Sequence, residues 1–286
     1  MKNGIRFIFA LSVLGIIPAC ERREKSVEKG AVMNADENAV VQQVTLTVAE
    51  GKRLIAKGLA KYPPVQDKLN NGVVIITRGS SNSYLVEEIL YTNLARGVFM
   101  TGRIQPANSK PVAPDGEPLG ELILRNGAVD PDATLIAGLR SMQKGDIIFK
   151  GANLVNYREG KAGVCIGHPT GGTMGMFLPF IEKPGIRLII PVGLEKQTSQ
   201  NLDELEKISR ADRDASGKIP WIKVLPGELF TEIEAIKQFA NVDVYQLASG
   251  GIAGAEGAVT LAIKGSPEEV KKALAAVSTV LGEPVY

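Results

Sequence analysis

The sequence predicts an α/β protein: a Rossmann-like, mostly parallel sheet with helices on both faces, followed by a small C-terminal α+β subdomain of the split βαβ kind. Three observations carry this. Short apolar runs without alternation, such as Val73–Thr77 (VVIIT) and Arg187–Val192 (RLIIPV), suit strands buried on both faces. They alternate along the chain with stretches of helical periodicity. Glycine is abundant, at 31 residues, and aromatics make up only 5%, which suits many tight strand-to-helix turns better than a β-sandwich.

The chain opens on a segment that is not part of this fold. Lys2 and Arg6 give a basic start, Ile5 to Ile17 is apolar, and Ile17-Pro18-Ala19-Cys20 ends the run with small residues and a cysteine. This pattern describes a secretory signal over residues 1–20, too short for a comfortable membrane span. It resembles the bacterial lipoprotein signal, in which the cysteine, here Cys20, is lipidated and becomes the mature N-terminus. The expected location is then the cell envelope, with a lipid anchor to the membrane. The alternative is an uncleaved anchor, or a misassigned start on a cytoplasmic protein. Residues 21–43 are polar and aperiodic, and read as a flexible tether. With Cys20 lipidated, Cys165 is the remaining thiol and no internal disulfide is expected. The net charge of +2 falls to zero when Lys2 and Arg6 leave with the signal, which gives no electrostatic case for nucleic acid.

The folded part is expected over residues 44–241 (the α/β domain) and 242–286 (the α+β subdomain). Ala49–Tyr62 spaces Leu54, Ile55, Leu59 and Tyr62 as one helix face, stopped by Pro63-Pro64. The strand Val73–Thr77 leads through a small polar loop to a helix over Tyr84–Leu94. Gly97–Ile104 reads as a strand, and the proline-rich Gln105–Gly120 as a loop or flap over a cleft. Strands at Glu121–Arg125 and Asp146–Phe149 flank a helix near Ala133–Met142. Strand Ala162–Ile166, helix Thr173–Ile181, strand Arg187–Val192, helix Leu202–Ser209 and strand Trp221–Leu225 follow. Gly227–Phe239 reads as a helix with its acids in the first turns. Strands Val242–Ala248 and Ala258–Lys264, joined by the glycine loop Ser249–Gly257, precede a helix over Ser266–Leu281 with Ser266 as N-cap.

Five places offer chemistry. Arg78-Gly79-Ser80-Ser81-Asn82 brings a hydroxyl-rich turn to a helix start, where free amides and the positive helix end suit an anion; simple capping is the alternative. Lys150-Gly151-Ala152-Asn153 stands at a strand end, with Lys150, Gly151 and Asn153 as ligand contacts or as a plain turn. Gly167-His168-Pro169-Thr170-Gly171-Gly172-Thr173 repeats the strand-to-helix logic. It makes Thr170, Gly171, Gly172 and Thr173 binding candidates, and His168 either an acid–base group or a structural hydrogen-bonding group. Glu228 and Glu232 share a helical face at four-residue spacing, which suits paired-carboxylate chemistry or dipole complementarity. Gly250 and Gly251 with Glu256 suggest close backbone approach to a ligand, or a flexible hairpin. Glu195-Lys196 is a further candidate after its strand. One histidine and one thiol are too few for a classical zinc site, so no metal and no cofactor are expected.

VVIITRGSSNSYLVEEIL (Val73–Leu90) and GDIIFKGANLVN (Gly145–Asn156) resemble two motifs of the ribose-5-phosphate isomerase, sugar-phosphate deaminase and CoA-transferase superfamily. The resemblance spans Val73 to Leu194. It implies a phosphate or acyl-carboxylate held by the Arg78–Ser83 loop. Where those isomerases carry carboxylates in the second motif, this chain has Lys150 and Asn153, so isomerase activity is not implied. The expected function is therefore binding of a small anionic metabolite in a cleft, with His168, Glu228, Glu232 or Glu256 as acid–base groups if turnover occurs. The alternative is a non-catalytic envelope lipoprotein that binds or assembles, with the C-terminal unit as a homo-oligomer surface.

Overall fold

The computed structural model describes residues 38–168, 171–181, 185–216 and 219–285; the leader with Cys20, most of the tether, and Thr170 lie outside them. In chain order the elements are β1 (Val40–Leu46), α1 (Val48–Lys61), α2 (Pro63–Asn70), β2 (Val73–Ile76), α3 (Ser80–Leu90), β3 (Leu122–Arg125), β4 (Ala128–Val129), α4 (Leu135–Ser141) and β5 (Ile147–Phe149). Then follow β6 (Leu154–Asn156), β7 (Lys161–Ile166), α5 (Gly172–Ile181), β8 (Arg187–Pro191), a 3-10 turn at Leu194–Lys196, α6 (Leu202–Ala215), β9 (Trp221–Leu225) and β10 (Glu228–Phe230). The chain closes with α7 (Glu232–Lys237), β11 (Asp243–Ser249), β12 (Val259–Gly265) and α8 (Pro267–Ser278).

The fold is α/β, built on a mixed six-stranded sheet in the order β10-β8-β5-β2-β3-β4. β10, β8, β5 and β2 run parallel, while β3 and β4 are antiparallel additions. The parallel strands are buried on both faces, which is why they read as unbroken apolar runs. Strand alternation then divides the core in two. Val74, Ile76, Ile147, Phe149, Ile189 and Phe230 point to a cluster with α1, α3, α7 and the C-terminal unit. Ile75, Ile148, Leu188 and Ile190 point the other way, to α4, α5 and a second sheet of order β6-β7-β9.

Caps fix the helix starts. Thr47 and Glu50 form a reciprocal capping box at α1, Thr231 and Glu234 another at α7, and Ser266 caps α8 as expected, with Pro267 after it. Pro63 both ends α1 and opens α2 at its first position, so the expected stop is also a start.

Four expectations are corrected. The folded part begins before residue 44, because β1 occupies Val40–Leu46 and pairs antiparallel with β12. It is an edge strand, exposed at Val41, Gln42 and Gln43, and so lacks the alternation that marks a half-buried strand. The small C-terminal unit is consequently not contiguous: its sheet is β1-β12-β11 and needs the chain's N-terminal strand as well as residues 242–286. Gly97–Ile104 is not a strand. Gly97 has φ +77°, the Phe99 carbonyl accepts from Gly79 N–H, and Val98 and Phe99 enter the core from a turn. Gly227–Phe239 is not one helix: β10 runs beside β8 first, and α7 starts only at Glu232. The segment Gln105–Gly120 is irregular, as expected, and its end is tied back by Leu119 N–H to the Val98 carbonyl. Among the described residues no helix is long and apolar enough to cross a membrane.

Helices α1 and α7 cross at glycines. A Cβ added to Gly58 would lie 2.6 Å from Ala235 Cα, and one on Gly51 2.6 Å from Glu232 Oε1. Gly58→Ala should therefore destabilise the protein by about 1–3 kcal/mol through overpacking. That outweighs the gain in helix propensity of about 1 kcal/mol or less. Chemical denaturation at constant m-value measures it; an unchanged or raised midpoint would show that the helices are free to part.

Candidate functional site at the carboxyl edge of the parallel strands

The four parallel strands end side by side. Ile76 pairs with Phe149, Phe149 with Ile189, and Pro191 with Phe230. The residues that follow them are consequently neighbours: Thr77-Arg78 after β2, Lys150 after β5, Glu195-Lys196 after β8, and Thr231-Glu232 after β10. Open α/β sheets bind ligands at this edge, where loops and helix starts bring polar groups together above a dry sheet.

Lys150 is the deepest of these. It is half-buried by exposed surface but enclosed by protein on nearly all sides, and its ammonium makes no hydrogen bond to the described residues. Burial pushes its pKa down to about 8, Glu121 opposes the shift, and Lys196 adds to it. Glu121, at the end of the irregular segment, accepts from Arg78 Nε at 3.2 Å and from Thr173 Oγ1 at 3.3 Å. Lys52, on α1, is likewise lowered to about 8, by burial first and by Lys196 second, against Glu195 and Glu232. The fields of Lys52 and Lys150 thus meet at Lys196.

Glu232 is fully enclosed. It accepts from the Leu194 amide at 3.0 Å, and burial followed by repulsion from Glu195 raises it to about 8. Burial thus favours its protonated form. Glu195 has its Oε1 buried without a hydrogen bond among the described residues, with Lys196 Nζ 3.7 Å away. Four basic side chains (Lys52, Lys150, Lys196 and Arg78) then face two further carboxyl groups (Glu121 and Glu195). This excess of positive charge at the end of a sheet suits an anion.

The β2–α3 turn contributes less side-chain chemistry than its sequence implied. Asn82 is fully buried and donates its amide to the Thr77 carbonyl at 2.7 Å and the Phe149 carbonyl at 3.3 Å, tying two strand ends together. Gly79 N–H is spent on Phe99, and Ser81 is buried. The first-turn amides of Ser80, Ser81 and Asn82 have no intrahelical acceptor. Gly151 sits beside the Pro191 carbonyl, while Asn153 accepts from Cys165 N–H at 2.8 Å and so serves the β6–β7 pairing rather than a ligand.

Other expected residues lie elsewhere or act differently. His168 is exposed at the end of β7, in the antiparallel second sheet, and packs beside Gly172. Gly171 and Gly172 take positive φ to turn the chain into α5, which brings Thr173 to Glu121. Glu228 does not pair with Glu232: it stands on a strand at the far end of β10, bonded to Arg187 at 2.5 Å and to Tyr62 at 2.6 Å. The four-residue spacing carried no shared face because the helix starts after Glu228. Glu256, Gly250 and Gly251 form the β11–β12 hairpin loop, where the Glu256 carboxylate accepts from Gly254 N–H. Lys52 and Glu121 were not anticipated. Lys52 looks like any solvated lysine of an amphipathic helix, and Glu121 follows an aperiodic loop.

A hollow of about 450 Å³ lies elsewhere, beside β11, between Tyr157, Gln197, Ile233, Val244, Tyr245 and Ser249. It is lined by no charged group. Among the described residues no group of three or more His, Cys, Asp or Glu is placed to hold a metal ion. Comparison with protein-family models, with curated proteins and with solved structures found no match to this chain.

The raised carboxyl and the lowered amines act oppositely on stability. Folded Glu232 keeps its proton to a higher pH than the unfolded chain does, so its contribution is lost as pH rises from about 4.5 to about 8. Lys52 and Lys150 release their protons earlier when folded, so stability is regained from about 8 towards 10.5. Glu232→Gln should flatten the first limb, at most about 1.4 kcal/mol per pH unit for one proton, and leave the second. Urea midpoints measured from pH 5 to 10 test this; an unaltered lower limb would assign it to another group.

Proposed function

We propose that this protein binds a small anionic metabolite, phosphorylated or carboxylated, at the carboxyl edge of a Rossmann-like, isomerase/CoA-transferase-like α/β fold. The observation that carries the reading is the convergence of Lys52 and Lys150 on Lys196: burial first, and the field of Lys196 after it, lowers both amines. Burying like charges costs free energy that packing alone would avoid, and a bound anion is the partner that offsets it. The free first-turn amides of α3 and the guanidinium of Arg78 add donors of the kind that phosphate uses. The resemblance of Val73–Leu90 and Gly145–Asn156 to sugar-phosphate enzymes agrees with this ligand class, and the replacement of their carboxylates by Lys150 and Asn153 makes the site more cationic than theirs.

A ligand at a hundred times its dissociation constant stabilises a protein by about 2.7 kcal/mol, so inorganic phosphate and ribose 5-phosphate should raise the melting temperature. Lys196→Ala and Arg78→Ala should each weaken the response about tenfold or more, the worth of one charge-assisted hydrogen bond. No response in the unaltered protein, or an undiminished one in both variants, would refute the site.

The leader supports a second proposal, that the protein is an envelope lipoprotein serving as a binding or assembly module without turnover. Residues 1–20 and their terminal Cys20 motivate it. Labelled palmitate should enter the protein in growing cells and be lost in Cys20→Ser; a protein that takes up no label has no such anchor.

A further inference from the structure

We propose that the Lys150 ε-amine is a nucleophile that forms an imine with a phosphorylated aldehyde or ketone bound at the carboxyl edge. The inference rests on the anion-binding reading above and names the chemistry of its ligand. Three features of the geometry single out Lys150. It follows a central parallel strand flanked by β2 and β8, and its own N–H donates to the Ile189 carbonyl at 3.1 Å, which fixes its backbone at the sheet edge. Its nitrogen makes no hydrogen bond to the described residues, although it is enclosed and in the field of a second ammonium, Lys196. The one carboxylate that acts on it, Glu121, is already engaged by Arg78 and Thr173, so Lys150 is not locked in an ion pair. An enclosed amine beside another cation is the setting that makes lysine a carbonyl nucleophile at neutral pH, because more of it is unprotonated. Lys52 differs: it faces two acids, Glu195 and Glu232, and stands on a helix flank.

The phosphate class follows from the surrounding charge. Arg78, Lys52, Lys196 and the first-turn amides of α3 offer more positive charge than a single carboxylate needs, and a phosphate dianion uses it.

The step balances without an oxidant or reductant. The Lys150 ammonium gives up a proton, and its nitrogen adds to the carbonyl carbon. The carbonyl oxygen takes up that proton to give a carbinolamine. A second proton from nitrogen leaves with this hydroxyl as water, and a protonated C=N bond remains. The ammonium and the carbonyl thus become an iminium ion and one water. Glu121 is the nearby carboxylate able to carry the proton between nitrogen and oxygen.

The test uses the full chain with glyceraldehyde 3-phosphate and cyanoborohydride, which reduces an imine to a stable secondary amine that peptide mass mapping locates. The expected result is a single dominant adduct on Lys150. It should form about tenfold or more faster than with glyceraldehyde, slow when inorganic phosphate competes, and be missing in a folded Lys150→Arg protein. Its rate should rise with pH through about 8, the lowered value of the amine. No adduct, an adduct spread over surface lysines, or one on Lys52 would overturn the assignment. Equal rates with glyceraldehyde would overturn the phosphate class. The melting response to inorganic phosphate alone separates the two levels: a response without the adduct refutes the nucleophile and leaves the anion site standing, whereas loss of both refutes the two together.

Discussion

The arrangement depends on how closely α1 approaches α7. Gly51 and Gly58 stand seven residues apart on α1, two turns on one face, and each leaves room that any larger residue would fill. Through Gly58 the helix meets the backbone of Ala235, and through Gly51 it meets the Glu232 carboxyl. That contact seals Glu232 from water, and burial pushes the acid towards its protonated form although the Leu194 amide donates to it. It also brings Lys52, the next residue of α1, into the field of the turn after β8. The same helix is anchored at its other flank by Arg53, which reaches Glu87, Glu88 and Glu283 and so joins α1 to α3 and to the chain's end.

The charge at the sheet edge is tolerated because it is shared among elements with different duties. The strand ends are tied beneath it by neutral groups: Asn82 bridges the carbonyls of Thr77 and Phe149, and Thr77 Oγ1 donates to Phe149 as well. Above this polar layer Glu121 is held between Arg78 and Thr173, and burial pushes Glu232 towards its protonated form. Glu195 and Glu121 offset the ammonium groups of Lys52, Lys150 and Lys196 only in part, since Lys52 and Lys150 stay lowered. Proteins seldom bury like charges for stability, and lysines with this little local compensation are the kind found at working sites.

The sequence made much of this scaffold legible and little of its electrostatics. Three of the four parallel strands (β2, β5 and β8), α1, α4, α5, α6, the C-terminal hairpin and α8 announce themselves by apolar runs, periodicity and caps, whereas the fourth, β10, reads as part of a helix. β1 is hidden by its exposure, and Gly97–Ile104 mimics a strand because Val98 and Phe99 are core residues delivered by a turn. Glu228 and Glu232 were misjudged together: their spacing is helical, but Gly227 packs against Leu188 and Ile190 and starts a strand, so the two acids face opposite ends of the sheet. Lys150 and Arg78 were visible because strand ends are predictable places. Lys52 and Glu121 were not, since each reaches the edge from an element whose position is decided by tertiary packing.

The turn after β5 gives two of its residues different duties. Its asparagine, Asn153, is spent on the Cys165 amide, a purely local duty that lets β6 pair with β7. Its lysine, Lys150, makes no such bond: none of the described residues accepts from its ammonium, and Lys196 repels it while Glu121 attracts it. Two residues of one short turn therefore carry different constraints, and only that of Asn153 is met by the backbone. An enclosed ammonium that makes no hydrogen bond to the described residues and stands in the field of a second ammonium is costly to keep, and the proposed anion is the partner that would offset that cost at Lys150.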